Sequence, residues 1–321
     1  MLANILEKTM IHRYYSFGEY LKEIFGKKVY KVNVDAGFTC PNRDGTIGTT
    51  GCIYCNNDSF RPSSCEASKP ISLQIKEGIE YLKTRYKAKA FLVYFQPYTN
   101  TYAPVDKLER LYKEALLHPE VVGLAIGTRP DCVDDEKLRL LQELSKTHMI
   151  IVEYGLQSIY EKSLNYIMRG HDYSTFLKAV YETHKRGILV GAHIIVGIPT
   201  ETKEESLAMA DEINLHPIKF LKIHQLQVIK NTPLAQIYEK NPFPVFEYEE
   251  YLDFVVDFIE RLRSDIVIQR LFATSPEEIL IAPKWNKTKQ EILNDINKRF
   301  EERNARQGSK CSLDRHRAIC Y

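Results

Sequence analysis

Residues 121–158 read "VVGLAIGTRPDCVDDEKLRLLQELSKTHMIIVEYGLQS". An apolar, β-rich run (122–127) gives way to a polar turn marked by proline, then to a segment with helical spacing, then to a second apolar run (149–155). The helical piece opens on Asp134 and Asp135, acidic residues at the positive end of its dipole. Strand, turn, helix and strand in one stretch make a βαβ unit, whose two strands lie parallel with a right-handed crossover.

The same alternation extends to both sides. Further β-rich runs occur at 29–34, 90–95, 190–197 and 220–228. Between them, "SLQIKEGIEYLKTRY" sets Leu73, Ile75, Ile79 and Leu82 near one helical face, and "VDKLERLYKEALL" does the same with Leu108, Leu111, Tyr112 and Ala115. "YSTFLKAVYETHKRG" stops at Gly187, as a C-cap would. Six strands alternating with helices predict an α/β fold, a partial (β/α)6 TIM-like barrel, with a doubly wound sheet as the alternative. The strand signal fades after residue 240. Residues 1–28 are expected to form an N-terminal helical segment, 29–240 the barrel core, and 241–321 a helical C-terminal extension with a long charged helix ending near Gly308. Chemistry in such folds gathers at the carboxyl ends of the strands. The polar or Gly- and Pro-marked clusters "QPYTNTY", "TRPDC", "EYGLQS", "GIPTET" and "QLQVIKNTPL" all fall at that end.

The 321 residues, 44% hydrophobic and 27% charged, have a globular balance. No apolar run approaches the ~20 residues of a bilayer span. The opening "MLANILEKTMIHRYYSFGEY" carries charges where a secretory signal needs an unbroken apolar core. The expectation is a cytoplasmic protein with no membrane association. Net charge is +2, but residues 284–321 hold ten Lys/Arg against five Asp/Glu. A solvated, frayed basic helix is one reading of that tail and a polyanion-binding surface the other.

Seven cysteines, an odd count, do not form a secreted disulfide framework. Three of them, Cys40, Cys52 and Cys55, crowd "FTCPNRDGTIGTTGCIYCNN" (38–57), where Gly45, Gly48 and Gly51 let the spacer fold tightly. Cysteine is soft enough to hold iron–sulfur corners, and three thiolates leave the fourth iron of a [4Fe–4S] cluster open. Structural zinc, the competing reading, wants four ligands and would have to recruit Cys65. Cys65 and Cys132 otherwise read as lone small hydrophobes. Cys311 and Cys320, flanking His316, are either a second metal site or spare thiols of a tail.

This loop, with Tyr54 just before the last cysteine, resembles the cluster motif of radical S-adenosylmethionine (SAM) enzymes. The phrases "CPNRDGTIG", "YTNTYAP", "GTRPDC", "EYGLQS", "MRGH" and "GIPTE" resemble bacterial radical SAM proteins of the YhcC/YtqA type, related to the elongator catalytic subunit, over nearly the full chain. The resemblance implies a [4Fe–4S] cluster on Cys40, Cys52 and Cys55, SAM on the open iron, and reductive cleavage to a 5′-deoxyadenosyl radical. A reductant protein such as flavodoxin or ferredoxin would supply the electron.

For SAM itself the resemblance implies Tyr98, Thr99 and Asn100 near the amine, Glu153 and Gln157 facing the cofactor, Arg169 as a clamp on the carboxylate, and Gly197 and Pro199 against the adenine. A guanidinium fork matches a carboxylate bidentately. Glu153 sits in an otherwise apolar strand and needs a partner; a core arginine such as Arg129 is an alternative to the cofactor. His193, mid-strand, is either a packed core residue or a functional one facing the interior. The relation to the elongator subunit and the basic tail suggest tRNA, with a wobble uridine as the target. A small metabolite or a protein is the alternative substrate, and a non-catalytic zinc or iron–sulfur interaction protein is the alternative of another class.

Overall fold

The computed structural model describes residues 13–56 and 65–311. In chain order the elements are α1 (Phe17–Phe25), β1 (Tyr30–Val34), α2 (Ile71–Tyr86), β2 (Phe91–Phe95), α3 (Val105–Leu116), β3 (Val121–Thr128), a 3-10 turn (Pro130–Cys132), α4 (Asp135–Ser145), β4 (Met149–Gln157), α5 (Glu161–Tyr166) and α6 (Tyr173–His184). They continue with β5 (Leu189–Val196), α7 (Lys203–Asn214), β6 (Phe220–Gln225), β7 (Val228–Ile229), α8 (Pro233–Lys240), α9 (Tyr248–Arg261), β8 (Val267–Arg270), β9 (Leu280–Ala282) and α10 (Lys289–Glu302). Seven strands form one parallel sheet in the order β1-β2-β3-β4-β5-β6-β8, curled into a half-barrel with helices outside. A small antiparallel pair, β7 with β9, stands apart.

Period-two alternation sorts each strand. Val93, Phe95, Val152, Tyr154, Val190 and Ile223 face the helices and join Leu108, Tyr112, Leu138 and Phe176 in the main core. Fully burying a side chain of this kind contributes about 1.5–3 kcal/mol. The alternate residues face the concave side. Near the amino ends of the strands these are apolar: Leu92, Ala125, Ile151, Phe220 and Val267 pack on Phe17, Tyr20 and Leu21 of α1, which floors the barrel. One layer further up the concave residues turn polar, and the site begins there.

All six expected strands are present. The seventh, β8, lies where the strand signal faded. Its four residues "VIQR" are too short for alternation to register, and only pairing with β6 reveals it. The charged helix α10 ends at Glu302 rather than near Gly308, and the chain then folds back so that Lys310 N–H donates to the Glu260 carbonyl at 2.8 Å. The basic tail is not merely solvated. Arg299 pairs with Glu249 at 2.6 Å, and Arg303 reaches Asp257 and Glu260 at 2.5 and 3.0 Å, both across to α9. Helix α2 buries Ile75 and Ile79 but leaves Leu73 exposed. Helix α6 ends at His184, and Gly187 follows at φ +73°. Cys311 is buried beside the Asn214 amide; Cys320 and His316 lie outside the described residues.

Candidate active site

The cysteine loop leaves β1 and returns over the carboxyl ends of the strands. A tight turn starts at Cys40, whose carbonyl accepts from Arg43 N–H at 2.8 Å. Gly51 needs its φ of +79°, and a Cβ there would come within 2.9 Å of the Arg43 side chain. Arg43 in turn donates to the Cys55 carbonyl at 2.6 Å. Asn42 fastens the loop to the far side of the barrel, donating to the Met168 carbonyl at 2.8 Å, and its amide also lies 3.5 Å from Cys52 Sγ.

Cys40, Cys52 and Cys55 line one cavity, whose non-atom space is about 1310 Å³ counting the open mouth. Among the described residues, no three His, Cys, Asp or Glu side chains group closely enough to hold a single metal ion. Cys65 is outside this cavity, buried with its thiol 3.2 Å from the Asn33 carbonyl. Burial and the neighbouring Cys52 push the Cys55 thiol up, with Arg43 opposing them. Thiolates in such surroundings become the stable form when a metal supplies the missing positive charge.

Arg169 is 6% exposed. Its Nε and Nη2 donate to the Gly155 carbonyl at 3.1 and 2.6 Å, and Nη1 lies 3.7 Å from Cys52 Sγ. Burial works against its charge, but Cys52 and Tyr54 outweigh it, so the guanidinium stays protonated. Gly155 makes room for it: a Cβ would meet both Arg169 Nη2 and Gln157 Nε2 at 2.7 Å. Gln157, at φ +75° beside an irregularity in the β4–β5 register, is aimed into the cavity.

Glu153 is fully buried and makes a close ion pair with Lys222; His193 Nε2 lies 3.0 Å from the same oxygen. Burial opposes its charge, yet Lys222, Lys31 and His193 together hold the carboxyl well below the usual range. The other oxygen, Oε1, has no protein partner among the described residues. Lys222 also donates to Tyr94 OH at 2.7 Å, with Nζ 4.2 Å from the ring centroid. The expected alternative partner, Arg129, is engaged elsewhere. It grips Asp131 at 2.7 and 2.9 Å and donates to the Arg169 carbonyl at 2.8 Å. His193 faces the interior, and burial with Lys222 pushes its pKa down to about 4.

Of the residues singled out for SAM, Tyr98, Thr99, Glu153, Gln157 and Arg169 line the cavity. Asn100, Gly197 and Pro199 are not on its wall. Asn100 sits beneath it, its amide donating to the carbonyls of Phe95, Pro97 and Gly127 at 2.8 to 3.1 Å, so it ties β2 to β3. Gly197, at φ +82°, is set against Phe246, whose ring a Cβ would approach to 2.9 Å. Sequence reasoning missed Tyr94, Lys222, His224 and Arg270. The signal for two of them was available: in "FLKIHQ" every second residue of an apolar run, Lys222 and His224, is polar.

A family model described as the radical SAM superfamily matches residues 40–213, more than half of the chain, and a radical SAM C-terminal domain model matches 218–302. The chain belongs to the radical SAM superfamily. This radical SAM chain is an enzyme, and its cofactors are those of the superfamily, a [4Fe–4S] cluster and SAM. It is 38% identical to the uncharacterized protein MJ0486 of Methanocaldococcus jannaschii, covering 92% of this chain and 91% of that one. Against the uncharacterized protein YtqA of Bacillus subtilis it is 34% identical, with 92% of each covered. A 137-residue segment, 42% of this chain and 25% of the other, is 30% identical to a tRNA uridine(34) acetyltransferase of Methanocaldococcus infernus. Among solved structures, the archaeal Elp3 of M. infernus superposes with a TM-score of 0.67 at 20% identity, over 87% of this chain and 64% of that one; this is a likeness of fold. Among the described residues, no helix is long and apolar enough to cross a membrane.

Proposed function

We propose that Cys40, Cys52 and Cys55 bind the cluster, that Arg169, Tyr98, Thr99, Glu153 and Gln157 hold SAM beside it, and that the substrate is tRNA with a wobble uridine at the reacting position. The observation that carries the cofactor half is the Arg169 guanidinium 3.7 Å from Cys52 Sγ, on the wall of a solvent-open cavity. A permanent cation at that spot suits a carboxylate anchored next to the cluster. Three thiols on one wall fit a cluster with one corner facing the cavity. Glu153 Oε1, buried and unpartnered among the described residues, suits a hydroxyl or ammonium donor on the cofactor. Bound there and reduced, a cluster would supply the one electron that splits SAM into methionine and a 5′-deoxyadenosyl radical, with a flavodoxin or ferredoxin as the proposed electron donor. The chain's own residues orient SAM and hold Lys222 and Glu153 as a fixed charged pair at the chamber's floor.

The tRNA half is supported by the likeness to the tRNA uridine(34) acetyltransferase segment. Single-stranded RNA recognition splays a base out of its stack, and a cavity open at one end suits that geometry. Anaerobic incubation with reductant, SAM and bulk tRNA is expected to yield 5′-deoxyadenosine together with a changed tRNA nucleoside. Cleavage that ignores added RNA would overturn tRNA and favour a small metabolite or a protein, leaving the cofactor assignment in place.

Gly155→Ala separates the SAM clamp from the fold. The new methyl would displace only the ends of two flexible side chains, Arg169 and Gln157. Equilibrium binding should show SAM affinity reduced about tenfold or more, the loss of roughly one charge-assisted hydrogen bond, with iron content and thermal midpoint close to wild type. Arg169→Ala should weaken SAM binding at least as much, with some loss of thermal midpoint as well, because its hydrogen bonds to the Gly155 carbonyl go with it. Unchanged affinity in both variants would remove Arg169 from the SAM site.

A further inference from the structure

Among the described residues, five lysines and arginines line the cavity (Arg43, Arg129, Arg169, Lys222 and Arg270) against one carboxylate, Glu153. Four of the five are engaged. Arg43 and Arg169 are tied to the cysteine loop, Arg129 to Asp131, and Lys222 to Glu153. Arg270 is left over. It is half-buried, and among the described residues its one hydrogen-bond contact is His224 Nε2 at 3.4 Å and no carboxylate lies within ion-pair distance of it. We propose that Arg270 anchors an anionic group of the substrate, a carboxylate or a phosphate, at the β6–β8 end of the chamber.

The backbone places the side chain there by a device. In the β6–β8 pairing Phe220 faces Val267 and Leu221 faces Ile268, but a bulge then skips Gln269, so Lys222 stands opposite Arg270. Without the bulge Gln269 would take the inward position; with it, two cations sit side by side on the concave face. Bulges cluster beside active sites because they re-aim side chains in this way. The arrangement is electrostatically costly as it stands. Burial pushes the Lys222 ammonium well below its ordinary range, and Lys31 and Arg270 add to that push against Glu153. His224 is likewise held neutral, by burial and then by Arg270. An uncompensated cation in a partly dehydrated wall is a site whose missing partner is an oxyanion.

A second cavity adjoins the first, sharing Gln225, Gln227 and residues 273–275 as a common rim. Its wall carries Lys284, Lys287 and Lys289. Lys289 is close enough to Arg270 for the two charges to repel, and neither Lys284 nor Lys289 has an ion-pair partner among the described residues. This line of cations leads from solvent to Arg270 and would draw an anionic substrate inward. The proposal rests on the reading of the cavity as the reaction chamber; it does not require the substrate to be RNA.

The test uses the cluster-loaded protein, free of oxygen, saturated with SAM and without reductant. Its thermal midpoint is measured in sodium phosphate, sodium acetate and sodium chloride at matched ionic strength, for wild type, Arg270→Gln and Arg270→Lys. Wild type should gain about 2 °C in one of the oxyanions over chloride. Arg270→Gln should lose that gain and Arg270→Lys should keep part of it. In chloride, Arg270→Gln should be at least as stable as wild type, because it removes a like-charge repulsion; a merely structural arginine would give a lower midpoint. A gain with phosphate alone assigns a phosphate, and a gain with acetate a carboxylate. The proposal is overturned by no gain in wild type, or by an equal gain in Arg270→Gln. It is overturned equally if Arg270→Gln abolishes SAM binding, which would make Arg270 a cofactor residue. No RNA and no turnover enter the measurement, so it stands or fails separately from the tRNA reading.

Discussion

Replacing Cys52 with alanine is expected to abolish SAM cleavage and to leave a folded protein stripped of iron and sulfide. The two halves of that outcome have different causes. The loop is held by backbone contacts that the thiol does not make: Gly51 N–H donates to the Asn42 carbonyl at 2.7 Å and Ile53 N–H to the Ile167 carbonyl at 3.1 Å. The loop therefore survives the change. What disappears is one of the three proposed soft ligands on that wall, and two remaining thiols would hold an iron–sulfur cluster poorly. The control is Cys132→Ala. That thiol is buried, pushed up to about 12 by burial and then by Asp131, and lies off the cavity wall, so iron content should not change. Iron analysis and 5′-deoxyadenosine formation after anaerobic reconstitution decide the matter. Full iron in the Cys52 variant would remove it from the ligand set.

Lys222→Ala should cost about 3–5 kcal/mol of stability, because it leaves the buried Glu153 carboxylate without its closest cation. The double variant Lys222→Ala with Glu153→Gln should recover most of that loss, since a neutral amide carries no comparable desolvation cost. The pH dependence has a definite sign. Glu153 is held well below its unfolded value, so the stability it contributes is present above about pH 4.3 and fades as the pH falls through its lower folded value. In the Lys222 variant acid instead relieves the stranded charge, and the gap to wild type narrows. Denaturant unfolding at neutral and acid pH measures both effects. A neutral-pH loss below about 1 kcal/mol, the ordinary value for a surface pair, would mean that Lys31 takes over the role.

The barrel was legible because its signal is redundant. "FLVYF" and "MIIVEYG" are β-rich runs bounded by turns, and each of the six was supported by its neighbours. The cysteine loop stood out because three cysteines crowd one short stretch, and the structure sets all three on one cavity wall. Pairings were not legible. Of the partners considered for Glu153, Arg129 turns to Asp131 instead, and the protein partners of the carboxylate are Lys222 and His193, since which strands lie side by side determines who meets whom. Lys222 and His224 were absorbed into an apolar run, although their spacing of two marks them as one face. Arg270 was out of reach for a stronger reason: its inward aim depends on a bulge that skips Gln269, and a bulge leaves no trace in the sequence pattern. The basic tail misled because the partners of Arg299 and Arg303 sit on a different helix about fifty residues earlier.

Helix α1 has a kinetic corollary. Phe17, Tyr20 and Leu21 stopper the amino end of the barrel, so traffic into the chamber runs over the opposite rim. What goes in deepest must come out last. With SAM seated below the substrate, as proposed, the spent nucleoside would leave after whatever followed it inside.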